Sequence, residues 1–340
     1  MRVLVAIYSE FASWCIPEAE VEILRREFPG CTFVRGDSDE EALAHVADAD
    51  VAFSSRITAS HLAAAHRLKW VHSPAAGIGS LLFPAMVESG VLLTNSRGIS
   101  AAAIAEHSVC VTLALLRKLP LAVERQRTRT WAQNEVFAEG RRIRTLRGAQ
   151  VLIVGLGAIG TETAQVYAAL GARVSAVRRR VSEPAPPSVA EVWPSSRLHE
   201  ALPASDVVIV AAPQTPETVH LIGRDELAAM KDDAVLVNVS RGKLVDEAAL
   251  VEALDAGRLR GAALDVFEHE PLSSNSPLWG HPGVLITPHV AGSYDRYWPD
   301  ARSLFADNLR RFAAGQPLRN DVDKPPASAG SRGSPIPARS

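Results

Sequence analysis

Ten consecutive residues, Val151-Leu152-Ile153-Val154-Gly155-Leu156-Gly157-Ala158-Ile159-Gly160, restrict the possible folds of this chain more than any other stretch. The first four are apolar and mostly β-branched, which favours a buried strand. Glycines then recur as G-x-G-x-x-G, and residues 158–170 carry a helical pattern that stops at Gly171, before a second apolar run at 173–177. Strand, glycine turn, helix and strand make a βαβ unit, which requires a parallel sheet. The turn also has a chemical use. Gly155 permits the tight bend, Gly157 lets a pyrophosphate approach the backbone, and Gly160 allows close helix–strand packing, with Leu156, Ala158 and Ile159 between them. The helix N-terminus adds N–H groups and the positive end of its dipole. The expectation is a dinucleotide site; the alternative is a glycine-rich turn without a ligand.

The 340 residues suit about two domains of roughly 150 each. Beyond the glycine turn, apolar runs at 207–211, 235–239, 261–266 and 284–287 alternate with helical stretches at 224–230 and 247–255. The first hundred residues alternate in the same way. Runs at 3–7, 32–34, 51–53, 70–72 and 91–94 are separated by helical spacing at 17–28, 39–46 and 58–65, with Ser38 and Glu41 placed as a capping box. Two α/β domains with doubly wound parallel sheets are expected. Between them a long helix spans about 100–119, stopped or kinked by Pro120, and an arginine-rich exposed arm runs to Arg147. A last helix over 298–313 carries Leu304, Phe305, Leu309 and Phe312 on one stripe. A tail from about 321 to 340, rich in Pro, Ser, Gly and Ala, is expected to be disordered.

Composition narrows the partners. With 36 basic and 38 acidic residues the formal charge is −2, so no global field recruits nucleic acid or an anionic membrane. Cys15, Cys31 and Cys110 lie far apart, against a disulfide framework or a metal site and in favour of a reducing compartment. The apolar start is too short for a signal-peptide core, and Glu106 and His107 interrupt the most apolar helix. A soluble, cytoplasmic protein is expected.

An NAD site wants an acidic residue after the second strand, to accept from the ribose hydroxyls. Here the sequence reads Val177-Arg178-Arg179-Arg180. Guanidinium groups pair with phosphate, so NADP(H) is preferred and NAD(H) stays possible; the alternative is a solvated charge run. Three further segments fall at strand ends, where open α/β sheets bind ligands. They are Asn238-Val239-Ser240-Arg241-Gly242, the run from Asp265 through Glu270 to Leu272, and Thr287-Pro288-His289-Val290-Ala291-Gly292. A cation, a carboxylate and an imidazole thus follow a dinucleotide turn in order.

With these segments, Ala105-Glu106-His107, Ser205-Asp206-Val207-Val208 and the run Pro213 to Thr218, the chain resembles the D-isomer-specific 2-hydroxyacid dehydrogenases to about residue 320. The resemblance implies a Rossmann domain (101–289) inserted in a flavodoxin-like substrate domain (1–100 with 290–320). It implies that Arg241, Glu270 and His289 are catalytic. It also implies cofactor contacts from the glycine turn, Arg178, Arg179, Ala212, Pro213, Thr218, Val239, Ser240, Arg241, Asp265, His289 and Gly292, with Asp265 facing the nicotinamide ribose or amide. Ala76, Gly77 and Ile78 stand where relatives bind the substrate carboxylate through backbone N–H groups, joined there by Arg241 and His289; a plain tight loop is the alternative. Arg56, Trp131, Tyr294 and Tyr297 are candidates for lining the pocket. The family's subunit contact falls at 100–147, whose length exceeds what one α/β unit needs, so a homodimer is expected.

The chemistry agrees with the residue types. Reducing a 2-oxo acid takes a hydride, a proton for the developing alkoxide and charge matching for the carboxylate. Imidazole exchanges protons near neutrality, a neighbouring carboxylate fixes the ring, and a guanidinium polarises the carbonyl. The leading expectation is a glyoxylate or hydroxypyruvate type of reductase acting on a small 2-oxo acid. A bulkier 2-oxo acid, another hydride donor, or a nucleotide-sensing binding protein remain alternatives.

Overall fold

Strands that are apolar on both sides must be covered by helices on both faces, and β1 (Arg2–Ala6) shows this directly. The computed structural model describes residues 1–137 and 142–324. In it Val3 and Val5 join one core cluster while Leu4 and Ala6 join another. After β1 come α1 (Glu18–Glu27), β2 (Thr32–Arg35), α2 (Asp39–Val46), β3 (Val51–Ser54), α3 (Ala59–Ala64), β4 (Trp70–Ser73), α4 (Pro84–Glu88) and β5 (Leu92–Asn95). The strands form one parallel sheet in the order β2-β1-β3-β4-β5. Ser38 accepts from the Glu41 N–H as expected, but the Glu41 carboxylate takes the Asp37 N–H instead of closing the box. A helix from the far end of the chain, Tyr297–Ala313, covers one face, with Phe305 stacked 4.3 Å from Phe53 and 5.4 Å from Trp70.

This first unit consists of Met1–Ile99 and the chain from Asp295. The expected crossing after 289 differs: residues 290–294 stay with the second unit, because Asp265 accepts the N–H groups of Val290 and Ala291, and Ala291 is core there. The expected disorder from 321 is also corrected. Asp321 bridges Thr94, the Val322 N–H donates to Leu93 O at 3.0 Å, and Lys324 Nζ donates to Met86 O at 2.7 Å. The remainder of the tail, 325–340, lies outside the described residues.

The second unit, Ser100–Tyr294, runs α5 (Ala101–Leu116), α6 (Leu119–Arg127), α7 (Gln133–Val136), β6 (Gln150–Val154), α8 (Ala158–Ala169), β7 (Arg173–Arg178), β8 (Glu191–Pro194), α9 (Leu198–Ala201), β9 (Val207–Val210), α10 (Arg224–Ala229), β10 (Ala234–Asn238), α11 (Glu247–Asp255), β11 (Leu259–Leu264) and β12 (Val284–Ile286). Its parallel sheet has the order β12-β11-β10-β9-β6-β7-β8, reversing direction between β6 and β9. β8 was not expected; as a half-buried edge strand ending in Pro194 it lacks a strong apolar run.

The long helix is corrected as well. α5 ends at Leu116, Lys118 takes a left-handed φ of 56°, and Pro120 sits in the first turn of α6, where a missing N–H does no harm. The arm therefore contains two helices, pinned by a two-fold Arg125–Glu135 pair at 2.8 and 2.6 Å; residues 138–141 of it are outside the described set. The arm's far end is anchored: the Arg144 N–H donates to Leu116 O, and its guanidinium to Asp206 at 2.8 Å. Nor is α5 surplus to its own sheet. Val109, Val111, Leu115 and Leu116 belong to the core beneath β6, β9 and β10. Among the described residues no helix is long and apolar enough to cross a membrane.

Candidate active site

The glycines of the turn have separate reasons. Gly155 has φ of 106°, and a Cβ there would lie 2.5 Å from Ala212 N; on Gly160 it would lie 2.0 Å from Gly155 O. Both are demanded by the chain's own packing. Gly157 is exposed, N-caps α8 without a side-chain hydrogen bond, and a Cβ on it would meet nothing within 4 Å. No neighbouring protein atom requires glycine there. The open space lies at a helix N-terminus where the strand order reverses, which is where a dinucleotide pyrophosphate binds. The residues present fit that cofactor. Leu156 and Ile159 are half-buried and Ala158 is exposed.

The arginines after β7 divide. The Arg178 side chain is only 10% exposed, and its guanidinium donates to the backbone carbonyls of Glu183 and Pro184, while Nε is buried without a partner. Arg179 is exposed, within electrostatic reach of Glu217. After β9, Ala212 is buried and its carbonyl accepts the Ser240 hydroxyl. Thr218 closes the next turn, donating to Pro213 O at 2.8 Å and accepting the Thr215 N–H at 2.7 Å.

After β10, Asn238 folds the chain back on itself: its amide donates to Arg241 O at 2.9 Å and accepts the Ser240 N–H at 3.1 Å. Val239 is buried beside it. Arg241 is half-buried and donates to Ser240 O at 2.6 Å. Burial pulls its pKa below the ordinary guanidinium value, with Glu270 acting in the opposite sense. Gly242 has no room at all, since a Cβ would lie 1.7 Å from the Phe267 carbonyl carbon. The arginine loop is thus pressed onto the segment that carries Glu270.

Glu270 and His289 meet directly, Oε2 to Nδ1 at 2.6 Å, and the Phe267 N–H holds the other carboxylate oxygen at 2.9 Å. Burial works to raise the Glu270 pKa, but these hydrogen bonds and the His289 and Arg241 charges outweigh it and leave it below the usual carboxylate value. His289 itself has a left-handed φ of 54°, its N–H held by Asp265 O at 2.8 Å. Its side chain remains 41% exposed.

Asp265 is only 3% exposed, and its carboxylate accepts the Thr287 hydroxyl at 2.6 Å and the N–H groups of Val290 and Ala291, both at 2.9 Å. His107 reaches Thr287 Oγ1 at 3.2 Å. Asp265 thus also ties down the turn that carries His289, a contact that sequence reading did not foresee. Gly292 has ordinary room, 3.5 Å from Ser100 Cβ. Sequence reading missed a second tie: Glu247 and Glu268 each accept the other's N–H, at 2.7 and 3.2 Å, and His220 joins Glu268 at 3.2 Å. Glutamates 21 positions apart give no local signal. Among the described residues no group of three or more His, Cys, Asp or Glu is placed to hold a metal.

In the first unit, Ala76 and Gly77 are exposed and Ile78 is half-buried. Asn95 donates to Ala76 O at 2.7 Å, which fixes the loop after β4 by its carbonyl side. Tyr297 donates to Pro74 O at 2.9 Å, and Arg56 lies over the Tyr8 ring. Trp131 is 90% exposed, and Tyr294 belongs to the second unit.

Residues 109–291, more than half of the chain, match the family described as "D-isomer specific 2-hydroxyacid dehydrogenase, NAD binding domain". The chain is 34% identical over 303 residues to a glyoxylate reductase of Aeropyrum pernix, covering 84% of this chain and 86% of that one. It is 31% identical over 313 residues to a D-3-phosphoglycerate dehydrogenase of Archaeoglobus fulgidus, covering 91% of this chain and 58% of that protein. It thus spans little more than half the length of such dehydrogenases. The solved NADPH-dependent glyoxylate/hydroxypyruvate reductase of Sinorhizobium meliloti superposes with a TM-score of 0.78 at 27% identity, covering 95% of this chain and 99% of that one. The chain belongs to the D-isomer-specific 2-hydroxyacid dehydrogenase family, and its second unit carries that family's NAD-binding domain.

Proposed function

We propose that this protein reduces a 2-oxo acid of the glyoxylate or hydroxypyruvate type to the D-2-hydroxy acid, with NADP(H) preferred over NAD(H). The single observation that carries the reading is the 2.6 Å contact between Glu270 and His289 on the segment against which Arg241 is packed. A bound reduced nicotinamide supplies the hydride. Arg241, charged even when half-buried, polarises the substrate carbonyl and stabilises the alkoxide as it forms. With Nδ1 facing Glu270, proton exchange with that alkoxide falls to His289 Nε2. Glu270, held ionised, keeps the ring in place and supports the charge it carries between turnovers.

Ala76, Gly77 and Ile78 are assigned to the substrate carboxylate through their N–H groups, and Gly155–Gly160 with Arg178 and Arg179 to the cofactor phosphates. The names of the Aeropyrum and Sinorhizobium proteins support the substrate class, and the second supports NADPH. The test is cofactor oxidation with glyoxylate and hydroxypyruvate, each with NADPH and NADH, followed by the chirality of the product. No oxidation with any 2-oxo acid overturns the reading.

A homodimer is part of the proposal, now resting on different residues. Since α5 is core, the contact is assigned to the apolar side chains exposed on the arm, Leu119, Val123, Trp131 and Phe137. A monomer mass by light scattering at micromolar concentration removes it.

A further inference from the structure

The first sheet has a switch point of its own. Its strand order places β2 and β3 on opposite sides of β1, and open α/β sheets bind ligands at the carboxyl ends of strands at such a point. A cavity of about 330 Å³ lies there, walled by residues that follow β1, β3 and β4 together with the start of the 297–313 helix. Four of its ten lining residues, Tyr8, Trp14, Tyr297 and Trp298, are aromatic. Trp14 meets Tyr297 edge-on at 6.2 Å, Tyr297 meets Trp298 at 5.1 Å, and the Tyr8 ring lies under Arg56. Ala75, which also lines the cavity, directly precedes the loop Ala76–Ile78.

Three polar side chains of this cavity have partners of their own. The Tyr297 hydroxyl donates to Pro74 O, the Tyr8 hydroxyl donates to Asp39, and Asp39 also lies 3.7 Å from the Arg56 guanidinium. An anionic group entering beside Arg56 would meet the Asp39 carboxylate as well, which disfavours a phosphorylated or dicarboxylic side chain. The aromatic side chains in its wall favour another ring through edge-on and offset contacts. Glyoxylate, whose side chain is a hydrogen atom, leaves such a volume unfilled.

We propose that this cavity is the side-chain subsite of the enzyme and that it selects 2-oxo acids bearing a bulky aromatic side chain. The inference rests on the reductase reading above and sharpens its substrate class, with glyoxylate and hydroxypyruvate becoming minimal substrates. The full chain is assayed with NADPH on glyoxylate, hydroxypyruvate, 4-methyl-2-oxopentanoate and phenylpyruvate, in wild type, Trp14→Ala and Ser55→Phe. Ser55 lines the cavity, so the added ring fills it.

The expected kcat/KM rises with side-chain size in wild type. Both variants lower it for phenylpyruvate about tenfold more than for glyoxylate, chiefly through KM. Equal losses on all substrates, or a wild-type preference for glyoxylate over phenylpyruvate, overturn the proposal. Quenching of tryptophan fluorescence by phenylpyruvate keeps the two readings apart. Saturable quenching, weakened in Trp14→Ala and Ser55→Phe, supports the subsite even if no 2-oxo acid is turned over, an outcome that sinks only the reductase reading. Absent quenching with robust turnover of glyoxylate sinks only the subsite.

Discussion

Both units end a strand of a parallel sheet near a histidine, and the two histidines could hardly be treated more differently. His72, in β4, is fully buried between Phe53, Trp70 and Phe305, with its ring nitrogens 2.6 Å from Thr94 Oγ1 and 3.2 Å from Ser96 Oγ. Burial drives its pKa down to about 3, so it is a neutral part of the core. His289 stands beyond β12 in a left-handed turn, 41% exposed, with a carboxylate on Nδ1. The same side chain is a packing element where the sheet covers it and a candidate acid–base group where the backbone turns it outward. Residue type decides little here, and the strand-end turn decides most.

The sharpest way to break this comparison is to remove each ring. His289→Gln should lower kcat by about 10²–10⁴-fold, the range for a lost general acid, with NADPH binding kept. Near-normal kcat would make His289 as inert as His72. The turn that presents Glu270 can be attacked without touching any ionisable group. Gly242→Ala places a Cβ 1.7 Å from the Phe267 carbonyl carbon, so the loops must part. Such overpacking costs about 1–3 kcal/mol or more in stability, and kcat should fall together with the melting temperature. A stable Gly242→Ala enzyme with full activity would show that the close approach does not matter.

His72 gives the complementary test, read in stability instead of rate. The unfolded chain takes up a proton near the ordinary imidazole pKa, whereas the folded chain resists until about 3. Across that window the unfolded state binds more protons, so stability falls as pH is lowered from about 6.5 towards 3, by an amount on the order of several kcal/mol. In His72→Phe, urea unfolding should lose this part of its pH slope, with Thr94 and Ser96 still partnered by Trp70 Nε1 and Ser73 O. An unchanged slope would mean that other groups carry the acid sensitivity.

The sequence was most readable where one local rule sets the structure. Glycine spacing located the nucleotide turn, apolar alternation located eleven of the strand positions, and the order of cation, acid and imidazole located the three residues now proposed as catalytic. It failed where partners are distant or where burial is partial. β8 is a half-buried edge strand, the Glu247–Glu268 tie joins residues far apart in sequence, and the bonds by which Asp265 braces the His289 turn reach residues 22 to 26 positions away. Pro120 was misleading for a positional reason, since proline both ends helices and opens them, and the left-handed Lys118 settles which. Order at Asp321–Lys324 comes from pairing beside β5, which composition cannot reveal.

The smallest effect expected separates two neighbouring arginines in the way the two histidines are separated. Arg178 is mostly buried and bonded to the carbonyls of its own loop, while Arg179 is exposed. If both simply faced a phosphate, neutralising either would weaken NADPH and spare NADH. The geometry divides the outcomes. Arg178→Ala leaves the Glu183 and Pro184 carbonyls without their donor and loosens the loop beside the cofactor turn, so both cofactors should bind more weakly. Arg179→Ser removes an exposed cation alone, so it should weaken NADPH about tenfold, as for one lost charge-assisted phosphate bond, and leave NADH nearly unchanged. Kd values for both cofactors by fluorescence titration decide it, repeated at high salt, where the Arg179 effect should shrink and the Arg178 effect should persist. Equal losses for NADPH and NADH in Arg179→Ser would reduce the triple-arginine run to solvated charge and remove the argument for an NADP(H) preference.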